Sequence, residues 1–249
     1  MKELMKEREE LFSKIAYYSF YAAVIIEVLI VIIDKSNYTN PIEGRLFQLT
    51  FLLFLIKVCL TRYTLKECIV MGLFFSLGAI SYFITERNEI IRIVMFVAAC
   101  KSINMKKCFK LVFWMTLIGC LVIVLLSMTG IYGAVSLTQD YGRESIETRY
   151  TFGMGHPNAL HCMGFMLILL ILYLYLDKMR WYCFGALMLL NIGIFYFTDS
   201  KTGMLVTSFA IVFAVLLRYV KRLQTGKIVY IILEVELIFC AITAWAAAR

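Results

Sequence analysis

The chain is organised as about nine apolar runs separated by short polar connections, and no other feature restricts its fold so tightly. The runs cover residues 15–33, 46–61, 68–84, 89–100, 109–133, 157–176, 181–197, 202–217 and 228–247. Most approach the roughly 20 residues that a helix needs to cross hydrocarbon. With 62% of the residues apolar and 17% charged, the chain carries more apolar surface than one soluble core can bury. Lipid accommodates that excess, and inside lipid each backbone polar group must be paired within its own helix. The expected class is therefore all-α, a polytopic transmembrane protein of about nine spans. The net charge of +8 does not suggest a nucleic-acid partner, because the basic residues sit in the connections between runs.

Orientation follows from those connections. With the N-terminus cytoplasmic and all nine runs crossing, Lys101, Lys106, Lys107 and Lys110 fall inside, as do Arg218, Lys221, Arg222 and Lys227. Arg62, Lys66, Lys178 and Arg180 join them, together with the basic residues of the retained lead-in 1–14. The outer side receives Lys35, Arg45, Arg87, Arg92, Arg143, Arg149 and Lys201. The fourth run is short and contains Arg92. If it did not cross, the two densest basic clusters would lie outside, against the positive-inside rule. It is therefore expected to cross, tilted or through thinned lipid. Segment 134–156 then becomes an extracytoplasmic loop, with residues 198–201 on the same side.

Four charges fall within apolar runs: Glu27, Lys57, Glu234 and Glu236. Each costs about 3 kcal/mol or more in lipid, which makes it a candidate for function. A Glu27–Lys57 pair is mismatched in depth. Lys57 lies about 6 Å from the inner end of its helix and can snorkel. The eight cysteines show no metal-ligand spacing and read as small apolar residues of helices.

The longest polar interval runs from Tyr141 to His161 and contains both histidines of the chain. Pro157 suits the first turn of the sixth span. A helix start approached through Gly153-Met154-Gly155 is expected to offer amides to an anion, with Arg143 and Arg149 adding charge and paired hydrogen bonds. His156 precedes a proline and is held extended, where it can act as a general base or a donor. His161 shares a helix face with Asn158 and reads as a polar packing residue or a ligand contact. Thr198-Asp-Ser-Lys-Thr-Gly203 precedes the eighth span, with Asp199 or Ser200 as its cap and Lys201 on the outer side. No spacing among these residues supports a metal site, and no cofactor is expected.

Taken together, Arg149-Tyr-Thr-Phe-Gly-Met-Gly-His-Pro-Asn158 and Thr198-Asp-Ser-Lys-Thr-Gly203 resemble motifs of the O-antigen polymerase and ligase-like superfamily. The nearest type is the Wzy-type polysaccharide polymerase of Gram-positive capsule and exopolysaccharide clusters. The resemblance implies a GT-C-like helical fold in a bacterial plasma membrane. It implies a polyprenyl-diphosphate-linked oligosaccharide as donor, a sugar hydroxyl as acceptor, and metal-independent transfer, alongside other polysaccharide assembly proteins. Carried over, Arg149 would contact the diphosphate, with Arg143 a second contact. His156 would activate or position the acceptor, and Asn158 would orient its neighbours. Ser200, Lys201 and His161 would bind substrate. Lys201 stands where the family more often has arginine, and it lacks the bidentate fork. Family members have more spans, so residues 1–249 read as one transmembrane domain from the N-terminal portion of a longer protein. The alternatives are ligase-type transfer to another acceptor and a non-enzymatic transporter or assembly component for lipid-linked glycans.

Overall fold

In the computed structural model, residues 2–141 and 146–220 are described, with positions 223, 227, 230, 231 and 234 beyond them. Eight α-helices are found among these residues: α1 Lys2–Asp34, α2 Glu43–Cys59, α3 Leu65–Thr85, α4 Glu89–Ala99, α5 Met105–Met128, α6 Pro157–Tyr175, α7 Trp181–Thr198 and α8 Lys201–Tyr219. They coincide with the first eight apolar runs, while the ninth run lies almost wholly outside the described residues. Six helices are long and apolar enough to cross a membrane: α1, α3, α5, α6, α7 and α8. This is a multi-pass, all-α membrane protein. Helices α2 and α4, with 17 and 11 residues, are shorter than the rest. At about 1.5 Å per residue, α4 spans only about half of a hydrocarbon layer.

Two compact units divide the chain, residues 1–159 and 160–249. In the first, Phe20, Phe54 and Phe96 join α1, α2 and α4, with ring centroids 5.5–6.3 Å apart. Gly119 lets α5 approach α1, since a Cβ there would stand 2.7 Å from Ile32 Cδ1. Helix α3 keeps an apolar face open: Leu65, Leu73 and Phe83 are exposed, as expected of a helix whose solvent is lipid.

The short α4 nevertheless returns the chain to the level at which α3 begins. Tyr63, just before α3, donates its hydroxyl to the Ala98 carbonyl at 2.9 Å, and burial there raises its phenol above the usual range. Lys101, just after α4, pairs with Glu67 in the first turn of α3. Lys57 at the end of α2 donates to Thr61 Oγ1 at 2.8 Å and to the Lys101 carbonyl at 3.1 Å. Arg62 pairs with Glu9 of α1 at 2.7 Å. These contacts gather Lys57, Arg62 and Lys101 at one end of the first unit. Asp34 lies 25 residues of helix from Glu9, about 37 Å away, at the other end.

Three expectations are revised. Arg92 is a residue of α4, not of an outer loop. It pairs with Glu27 at 3.1 Å and lies 3.5 Å over the Phe47 ring. Thr50 also donates to Glu27, so this pair is a local ion pair separate from Lys57. The fifth helix stops at Met128 rather than 133. The Ile131 amide reaches the Leu126 carbonyl and the Gly130 amide the Ser127 carbonyl, with Gly130 at φ +73°, a left-handed stop that glycine adopts without steric cost. Finally, segment 134–156 is not a plain loop. It contains an antiparallel hairpin of β1 Ser136–Asp140 and β2 Ile146–Tyr150, with Leu137 opposite Arg149 and Gln139 opposite Glu147. Alternation in Ile-Glu-Thr-Arg-Tyr puts Glu147 and Arg149 on one face and Ile146, Thr148 and Tyr150 on the other.

In the second unit, Ile168, Leu172, Phe184, Leu187, Ile211 and Ala214 form the core between α6, α7 and α8. A Cβ on Gly164 would stand 2.6 Å from Ile194 Cδ1, which sets how closely α6 packs on α7.

Candidate functional site

The hairpin is anchored at the end of the first unit opposite Lys57, Arg62 and Lys101. The Ser36 hydroxyl shares a hydrogen bond with Tyr132 at 2.8 Å, the Gly155 amide donates to the Lys35 carbonyl at 2.9 Å, and Met154 bridges to Ser36 and is fully buried. Thr151 closes the base of the hairpin, its hydroxyl donating to the Ala134 carbonyl at 2.8 Å.

On this base stands a compact cluster. Arg149 is 5% exposed, and its guanidinium carbon lies 4.0 Å from the centre of the Tyr141 ring. The other neighbour of Tyr141 is His156, edge-on at 5.6 Å between centroids. Arg149 Nε donates to Glu147 Oε2 at 3.0 Å, and a second guanidinium nitrogen reaches the same oxygen. Arg149 and His156 are thus brought to one aromatic ring. Tyr141 and Glu147 are members of the cluster that motif reading alone did not single out. The signal for Glu147 was present in the sequence, because a two-residue spacing on a strand puts it beside Arg149. Arg143, the second arginine candidate, lies outside the described residues.

The anion site expected from backbone amides is not what the helix start provides. Pro157 opens α6 as expected but has no amide proton. The Asn158 amide donates to His156 Nδ1 at 3.1 Å, and the Ala159 amide to the His156 carbonyl at 2.9 Å. His156 is therefore the N-cap of α6. The glycine approach is equally committed. The Gly153 amide goes to the Ala134 carbonyl and the Met154 amide to the Thr151 carbonyl. Gly153, at φ +81°, lies so close to α5 that a Cβ would stand 2.9 Å from Ser127 Cβ. These glycines serve packing.

The cap also fixes the chemistry of His156. A nitrogen that accepts an amide proton carries none, so the neutral ring bears its proton on Nε2. In this geometry Nε2 is a hydrogen-bond donor and not a base. Among the described residues it has no hydrogen-bond partner. Asn158, on the first turn, is exposed.

The second unit holds a different polar group. His161 is 1% exposed, with Nδ1 3.2 Å from Thr198 Oγ1 and Nε2 3.0 Å from Asn191 Oδ1. The Asn191 amide nitrogen donates to the Met204 carbonyl and to Ser208 Oγ, which turns its oxygen toward His161. Gly203 is required here, because a Cβ would meet the His161 ring at 2.6 Å. His161 thus ties α6 to α7 and α8, and Asn158 does not share its environment. Ser200 stands at the N-cap of α8 but does not cap it through its side chain. Asp199 ends α7 at φ +45°, and Ser200 is buried. Lys201 opens α8 and is exposed. In this unit Lys178 and Arg180 lie at the opposite end of α6 and α7 from the His161 group.

No family model, no curated protein and no solved structure matches this chain.

Proposed function

We propose that this chain is a membrane glycosyltransferase of the polysaccharide-polymerase type. It joins oligosaccharide repeat units by transferring a glycan from a polyprenyl diphosphate to a sugar hydroxyl at the outer face of a bacterial plasma membrane. What carries the reading is Arg149: a nearly buried guanidinium, stacked on Tyr141 and neighboured by a histidine with a donor nitrogen, at the end of the first unit opposite Lys57, Arg62 and Lys101. If those basic residues face the cytoplasm, the hairpin is extracytoplasmic. The reading includes a cytoplasmic N-terminus, about nine spans with α2 and α4 crossing as short spans, and a GT-C-like arrangement.

The chemistry asked of the site is charge stabilisation. The acceptor oxygen bonds to the anomeric carbon, the bond from that carbon to the diphosphate breaks, and its electron pair stays on the diphosphate. Arg149 presents two N–H groups to the phosphate oxygens, and His156 Nε2 donates a further hydrogen bond. Both groups are held in place before substrate arrives, by Tyr141, by the strand pairing and by the α6 cap, so little reorganisation accompanies bond breaking. Lys201 and Ser200 enter the reading through the sequence motif alone.

The test is transfer by membranes carrying Arg149→Ala or His156→Ala, supplied with a lipid-linked repeat unit. The expected result is loss of polymer length and yield. Full length and yield in both variants would contradict the proposal. Product bonded to an acceptor other than a repeat unit would move it to ligase-type transfer. Flux of the lipid-linked unit without bond formation would move it to transport, for which the Glu27–Arg92 pair beside a 320 Å³ cavity is the starting point.

A further inference from the structure

Arg149 already holds an anion. Two of its nitrogens converge on one oxygen of Glu147, much as a guanidinium grips a phosphate oxygen. Glu147 is the more accessible of the two, its side chain 31% exposed against 5% for Arg149. Both residues sit on one face of β2, so the carboxylate can turn away from the guanidinium by side-chain rotation with the hairpin intact. Meanwhile the α6 cap puts the His156 proton on Nε2 and removes that ring as a base. Transfer to a hydroxyl still needs a group that takes the hydroxyl proton.

The geometry points to Glu147 as that group: the incoming lipid diphosphate displaces its carboxylate from Arg149, and the released carboxylate takes the proton of the acceptor hydroxyl. This inference rests on the diphosphate reading given above. The exchange never leaves the nearly buried guanidinium uncompensated, because one anion replaces another. The step balances. The hydroxyl proton moves to Glu147, the acceptor oxygen bonds to the anomeric carbon, and the bond to the diphosphate breaks with its electron pair on the leaving phosphate oxygen. As the prenyl diphosphate departs, Glu147 gives its proton to water and returns to Arg149. Base and leaving-group site are thereby coupled through Arg149.

The experiment measures binding of geranylgeranyl diphosphate to the full chain in nanodiscs, and transfer in the same preparation. Glu147→Gln removes the competing charge. It is expected to bind the probe about tenfold more tightly than the wild type, the weight of one charge-assisted pair, and to lose transfer by about 100-fold or more. Glu147→Asp keeps the charge but draws it back by one methylene, and its dissociation constant is expected between the two. It remains informative if the glutamine variant fails to fold. Binding no tighter than wild type in the folded variants, or transfer retained in Glu147→Gln, would overturn the role of Glu147 while leaving the diphosphate site standing. Absence of probe binding in folded wild type and Glu147→Gln alike would instead remove the diphosphate reading itself.

Discussion

The polar groups around His161 and Arg149 are built on opposite principles. Around His161 every contact is closed. Both ring nitrogens have partners, the Asn191 amide has its own, and Gly203 is bare so that the ring can pack. Around Arg149 the group is charged and half-open. A guanidinium, an exchangeable carboxylate and a donor imidazole surround one tyrosine. The first pattern describes a lock between helices, where a lost partner is felt as stability. The second fits the proposed anion site, where a lost partner is expected to be felt as function. Both histidines come from one polar interval five residues apart, so proximity in sequence does not predict which pattern a residue joins.

That contrast can be broken by mutation. The largest effect is expected from Arg149→Ala, which should lower transfer by about 100- to 1,000-fold, as removal of a preorganised charge-stabilising group does elsewhere. Thermal unfolding in detergent should shift little, since Glu147 regains water. If Arg149→Ala instead melts the protein with no separate effect on transfer, the proposed anion site is a lock after all. Next comes His161→Ala, which strands Asn191 and Thr198 and opens a cavity. A loss of about 2–4 kcal/mol in stability is expected, seen as a lower melting temperature. Activity per folded molecule should survive. Gly203→Ala tests the same lock through shape, with about 1–3 kcal/mol lost as the ring is displaced. His156→Gln should cost about tenfold in transfer with unchanged folding, a donor's share rather than a base's. Lys201→Ala is expected to be the smallest, a few-fold at most, because an exposed charge is screened.

Much of the fold could be read from hydropathy, for a physical reason. In lipid a spanning segment must satisfy its own backbone, so an apolar run of sufficient length has one outcome. Eight of the runs became helices, seven of them within about five residues of their expected ends; α1 begins at Lys2, well before position 15. The fifth ended early because Gly130 offers a left-handed stop that a window of apolar residues does not register. Arg92 was read inside the fourth run, but its partner could not be read, because Glu27 is 65 positions away. The hairpin was hidden because polarity and glycine also describe loops. At the site, the motif led to Arg149 and His156, while Tyr141 and Glu147 needed strand register. The amide anion site failed because motif reading counts donors without asking which carbonyls already hold them.

The central claim is that the Arg149 hairpin and the basic end of the first unit face opposite sides of the membrane. Cysteine labelling in intact cells tests it most directly. With the eight native cysteines replaced, Thr148→Cys, exposed on the outer face of β2, and Lys106→Cys, in the first turn of α5, are probed with a membrane-impermeant maleimide. Thr148→Cys should react in intact cells, and Lys106→Cys only after permeabilisation. The reverse pattern, or reaction of both from the same side, would contradict the account.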